Sequence, residues 1–206
     1  MVLTNVRRGN TPYHFSLKSD KGFTLIELLA VAGIIVLITS LILVNNNKFG
    51  GKILLENLAY DVALSIRQAQ VYGISVRQFE GGFTSGYGVY FNMTSQKAYS
   101  LFGDKNGDGL WNPGTPGTPG EDVKPSPYSI ERGYHIYKLC APRGANASTC
   151  TAVNRLDIVF RRPEPDAYIR RNGLAAVQES ARIVLRSPRG DEASVVVHVT
   201  GQISVE

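Results

Sequence analysis

The chain has 206 residues, enough for one ordinary domain with an appendage or for two small ones. Its 43% hydrophobic and 19% charged residues, with 21 Gly and 10 Pro, exclude a wholly disordered chain, a collagen and a disulfide miniprotein. A mean hydropathy of -0.07 excludes a polytopic membrane protein but leaves room for a single span, and two cysteines forbid a four-cysteine zinc site. The formal charge of +5 gathers at the start, where Arg7, Arg8, Lys18 and Lys21 against Asp20 give residues 1–22 an excess of +3. Global charge therefore does not argue for nucleic acid.

From Phe23 to Val44 the sequence FTLIELLAVAGIIVLITSLILV carries one charge, Glu27. As a helix it would extend about 33 Å, enough to cross a hydrocarbon core of about 30 Å. A buried core helix rarely stays apolar all round for that length. The positive charges precede the span, and no cleavage site of the A-x-A kind follows Val44. That bias places the N-terminus in the cytoplasm and everything after Val44 outside it.

Lys21-Gly22-Phe23-Thr24-Leu25-Ile26-Glu27-Leu28-Leu29, followed by the apolar run, resembles the type IV prepilin processing motif. The resemblance implies a leader at 1–22, cut between Gly22 and Phe23 by a prepilin peptidase that then methylates the new amine of Phe23. It also implies that Glu27 neutralises the N-terminal amine of a neighbouring subunit during assembly. A carboxylate in a span costs roughly 2.5–3.5 kcal/mol on insertion scales, so Glu27 calls for a reason. A Glu suited to the helix N-terminal dipole is the plainer reading. Many pilin-like helices carry a kinking Pro, yet none stands here between Pro12 and Pro113. Asn45, Asn46, Asn47, Gly50 and Gly51, poor helix formers, are the expected weak point.

After Gly51 the pattern becomes amphipathic. Leu54, Leu58, Val62, Ile66, Ala69 and Tyr72 recur at three or four, while Glu56, Asp61, Arg67 and Gln70 fall mostly off that stripe. One helix is expected from Phe23 to about Gln78, its membrane half at 23–44 and its amphipathic half at 45–79. Strands are expected at Tyr87–Phe91, Ala98–Phe102, Tyr134–Leu139, Leu156–Phe160, Ile183–Leu185, Ala193–Val199 and Ile203–Val205, the last two joined by Thr200-Gly201-Gln202. The fold class is α+β: a long N-terminal helix packed on an antiparallel β-sheet head at 80–206, the pilin-like architecture.

Asp104, Asn106 and Asp108 have the D-x-N-x-D-G spacing of a calcium loop, in which alternate oxygens and a glycine turn wrap a hard cation. Thr115 stands where a bidentate Glu is required, so Asn112, Glu121 or Asp122 would have to close the shell. An acidic, glycine-rich turn has the same composition. The Thr-Pro-Gly repeats of NPGTPGTPGEDVKPSP make a loop, read as a surface excursion or a partner contact. Cys140 and Cys150 would close a short loop worth roughly 2–3 kcal/mol as a disulfide; two thiols in a reducing compartment are the alternative, disfavoured by export.

DVALSIRQAQVYGISVR, GYGVYFN, AYSLF and SVVVHVTGQISVE look like the GspH/FimT-type branch, which includes secretion pseudopilins and minor pilins. The branch implies a minor pseudopilin of a type II secretion pseudopilus or, alternatively, a minor pilin of a surface pilus for adhesion or DNA uptake. The implied partners are the prepilin peptidase/methyltransferase, other pilin or pseudopilin subunits and an inner-membrane assembly platform. Some members bind DNA through basic C-terminal segments. Arg161, Arg162, Arg170 and Arg171 are the candidates here, against solvated strand ends. No cofactor is required on this reading, calcium being the one candidate. No enzyme is expected either, since His14, His135 and His198 are scattered and no P-loop, G-x-G-x-x-G or nucleophile elbow occurs. A membrane-anchored exported enzyme whose span imitates a prepilin is the remaining class.

Overall fold

The computed structural model describes residues 22–75, 77–83, 86–116 and 119–206, with backbone alone at 44–49. The leader expected at 1–22 lies outside the described residues except for Gly22. The chain divides into two compact units, Met1–Asn45 and Asn46–Glu206. Helix α1 is Leu25–Ile74. Its backbone is helical through 45–51, so the poor helix formers there do not interrupt it.

In the second unit α1 buries Leu55, Ala59, Val62, Ile66 and Ala69, a face repeating at three and four. The expected stripe is turned slightly at its start, because Leu54 stays 39% exposed and Leu55 takes the core position. Gln70, expected off the stripe, is buried. Its Nε2 donates to Pro165 O and Gly201 O, each at 3.0 Å, and that pair of bonds makes a polar side chain tolerable in the core. Near the helix end, a Cβ on Gly73 would run into the main-chain carbonyl of Phe160, so only glycine allows this close approach.

The strands are β1 Gly86–Asn92, β2 Ala98–Asp104, β3 Tyr128–Ser129, β4 His135–Cys140, β5 Ala152–Val153, β6 Arg155–Phe160, β7 Ala167–Arg171, β8 Val177–Gln178, β9 Ser180–Arg186, β10 Glu192–His198 and β11 Ile203–Val205. A 3-10 turn, Met93–Ser95, links β1 to β2. All seven expected strands are present. The single expected sheet is two, one ordered β3-β2-β1-β6-β7-β8 and the other β11-β10-β9-β4-β5, with antiparallel pairing throughout. Alternation tells which face of a strand is apolar but not which strand it joins.

Strand parity sorts the side chains. Tyr87, Val89, Phe91, Leu101, Leu156, Ile158, Phe160 and Ile169 from the first sheet meet Ile136, Leu139, Ile183, Leu185, Val195 and Val197 from the second and the buried face of α1 in one core. An aromatic ladder crosses the first sheet, with Phe91 stacked on Tyr99 at 5.5 Å and Tyr99 on Tyr128 at 5.3 Å. The Tyr99 hydroxyl reaches Ser65 Oγ on α1 at 2.9 Å. On its opposite face each sheet carries a loop, 105–127 on the first through Trp111 and 141–149 on the second through Ala147.

Candidate functional site

Gly22, Phe23 and Thr24 precede α1, which starts at Leu25. Thr24 caps it: its Oγ1 accepts from the Glu27 N–H at 3.3 Å, and its hydroxyl lies 3.5 Å from Glu27 Oε2. This is the threonine-x-x-glutamate pattern of a capping box, with the carboxylate on the cap's hydroxyl. Glu27 is thus held in the first helical turn, its side chain exposed, where the helix dipole favours a negative charge. Leu25–Leu43 has a mean hydropathy of 2.7 with none of its residues buried, so the helix is long and apolar enough to cross a membrane. Phe23 is 84% exposed. Lys21 and the basic residues before it lie outside the described residues.

The structure brings the calcium candidates and two of the nucleic-acid candidates together. In β6, Arg155, Asp157, Val159 and, one step on, Arg161 point to the sheet face opposite the core; register places Asp157 opposite Arg170 and Val159 opposite Tyr168. Asp104 ends β2 on that same face. Arg161 Nη2 pairs with Asp104 Oδ2 and donates to Gly107 O at 2.8 Å, while Gly109 N–H donates to Asp104 Oδ2 at 3.0 Å. A Cβ on Gly109 would meet Arg170 Nε at 2.9 Å, and its φ of +74° is the left-handed conformation glycine adopts freely. Asp108 is met by the Leu110 N–H and the amides of Asn106 and Asn112. Burial pushes its carboxyl up, but those hydrogen bonds, with the charge of Arg170, hold it below the usual range.

Of the proposed closing ligands, Glu121 is buried and accepts from the main-chain N–H of Lys105 at 3.0 Å and of Asn112 at 2.9 Å. Burial raises its pKa. Asp122 accepts from Trp111 Nε1 at 3.3 Å and Ser126 Oγ at 3.1 Å. Asp104 Oδ1 is buried without a hydrogen-bond partner. Among the described residues, no three His, Cys, Asp or Glu side chains gather as a metal-binding group. The charge on Asp104 is met by a guanidinium of the same chain.

Sequence reading missed the centre of this arrangement. Asp157 is fully buried, accepts Trp111 N–H at 2.9 Å and takes Arg155 in two contacts of 2.8 and 3.0 Å. Arg155 also donates to Trp111 O at 2.8 Å, and the Trp111 ring stacks on Tyr90 at 4.3 Å. Burial raises the Asp157 pKa, against the pull of Arg155 and the Trp111 N–H. A carboxylate between Leu156 and Ile158 in mid-strand was the available signal, since a charge on an otherwise apolar strand needs a partner. Arg162 donates to Phe83 O, and Arg171 to Ala141 O at 3.1 Å. Three of the four candidate arginines thus donate to acidic or carbonyl groups of this chain, and the charge of Arg170 acts on Asp108.

Over the second sheet, Cys140 and Cys150 form the expected disulfide, Cα atoms 5.5 Å apart, against Val184. Beside it Arg182 is 3% exposed and donates to Ser194 Oγ at 2.7 Å and Glu206 Oε2 at 2.8 Å. No family model matches the chain, and no curated protein or solved structure is significantly similar to it.

Proposed function

We propose that this chain is a pilin-like structural subunit, a minor pseudopilin of a type II secretion pseudopilus. It is cut between Gly22 and Phe23 and inserted in the inner membrane with its N-terminus inward. It polymerises through its apolar helix with the β-rich unit outside. One observation carries the reading: Gly22-Phe23-Thr24-Leu25-Ile26-Glu27 heads a helix whose first nineteen residues are unburied and carry a single charge, the Glu27 carboxylate in the first turn. A span used only as an anchor has no need of that charge. A subunit that must present a partner to a neighbour's new amine does.

The test is mass spectrometry of the mature protein from cells that carry a prepilin peptidase. The expected product starts at Phe23 with a methylated amine, found in the envelope fraction. Recovery of that product in sheared surface filaments would move the subunit to a surface pilus, and an unprocessed chain would defeat both readings. Glu27→Leu should still be cleaved yet fail to join filaments; undiminished incorporation would remove the assembly role of Glu27.

A further inference from the structure

β3 is the edge of the first sheet, and the side of α1 next to it is left open. Two cavities, about 370 and 350 Å³, run along that side and share Leu58, Asp61, Ser129 and Ile130. Together they reach from Leu54 to Gln68. That is about 21 Å of helix, the length of roughly six extended residues. One wall is helix and the other is strand edge. Ile130 N–H donates to Lys97 O at 2.7 Å, and Ser129 stands opposite Ala98 in the register. Antiparallel ladders alternate, so Ser129 turns its N–H and C=O away from β2, toward the groove. Leu58, Ile130, Tyr99 and Tyr128 supply an apolar floor. At the junction of the two cavities stands Asp61, whose carboxylate meets no hydrogen bond or ion pair among the described residues; only its main-chain carbonyl is used, by Ser65.

We propose that this groove binds an extended segment of a partner protein that adds to the β3 edge and sets a Lys or Arg against Asp61. The requirements are independent. A free strand edge asks for main-chain donors and acceptors. The floor asks for apolar side chains on one face. An unpaired carboxylate beside an apolar surface asks for a cation. A helix laid in the same place would leave the Ser129 main-chain groups unpaired. The inference does not rest on the filament reading, and its test does not involve processing or assembly.

The full chain in detergent micelles is titrated with the capped peptides Thr-Val-Lys-Val-Thr and Thr-Val-Glu-Val-Thr, followed by amide chemical shifts. The lysine peptide should bind up to about fivefold more tightly, as one ion pair at an exposed carboxylate implies, with shifts at 128–131 and along 58–68. Asp61→Asn should erase the preference. Ser129→Pro, which removes the outward N–H but no ladder donor, should weaken both peptides. Equal binding of the two peptides, a preference that survives Asp61→Asn, shifts located elsewhere, or no binding by either would each overturn the proposal.

Discussion

The two sheets are covered on their outer faces by loops fastened in different ways. The 141–149 loop is closed covalently by Cys140–Cys150, and its Arg143 and Ala145 carbonyls accept from the buried guanidinium of Arg182. The 105–127 loop, more than twice as long, has no covalent tie. It is held by Asp157, Arg155 and Arg161, by the Gly103 N–H on the main-chain carbonyl of Glu121, and by the stack of Trp111 on Tyr90. A disulfide acts chiefly by limiting the unfolded chain and does not depend on the sheet beneath it. The polar latch exists only when β2, β1 and β6 are paired, because Asp104 ends β2, Tyr90 lies in β1, and Arg155, Asp157 and Arg161 lie in or just after β6. One loop is stabilised against unfolding in general; the other reports on the integrity of its sheet.

The largest expected effect comes from cutting the latch at its centre. Asp157→Ala leaves Arg155 and the Trp111 N–H without their acceptor and should cost about 3 kcal/mol, the lower end of the range because Arg155 keeps some contact with water. Trp111 is the sole tryptophan, so urea unfolding followed by its fluorescence reads this loop directly. An unchanged midpoint would show that the latch holds nothing. Removing the disulfide, as Cys140→Ala with Cys150→Ala, should cost slightly less, about 2.8 kcal/mol for a loop of this length in the chain-entropy model. Trp111 emission without denaturant should not move, and the two losses should add, since the loops share no partner. A large coupling would contradict the separation.

A smaller effect sharpens the comparison through pH. Burial raises the native pKa of Asp157 above its unfolded value near 3.9, so the native state holds that proton more tightly. The stabilisation is present in full below the unfolded pKa and is lost as pH rises through the native one. The melting-temperature difference between the wild type and Asp157→Asn should therefore shift in favour of the wild type from pH 7 down to about 4; the opposite trend would rule out burial as the dominant cause. The smallest expected effect is none: because Arg161 meets the charge on Asp104, millimolar calcium should not raise the melting temperature over chelator. A clear rise would assign the loop a cation after all.

Much of the fold was legible in the sequence because long β-branched and aromatic runs declare themselves. β1, β2, β6 and β10 are of that kind, and α1 carries both a span and a stripe. β3, β5 and β8 are two residues each, too short for any period. β7 hides between Pro165 and a pair of arginines. The candidate site was legible only as its separate halves. The acidic loop and the arginines each suggested an external ligand, while strand pairing sets them against one another across residues 104 and 161. Gln70 was placed off the apolar stripe, and nothing in the sequence marked Arg182 as buried, because their acceptors lie up to 131 and 39 residues away in sequence.

The chain changes sheets three times, since β1–β3 and β6–β8 form one sheet and β4–β5 and β9–β11 the other. As a result, β1 waits for β6 and β4 waits for β9, so neither sheet closes until most of the chain has been made. A chain halted at Cys150 would leave one edge of β1 and both edges of β4 unpaired, the condition that invites association with other chains. Yet the disulfide already lies within that fragment. Oxidation can therefore close the loop at the end of β4 before either neighbour of that strand has been made.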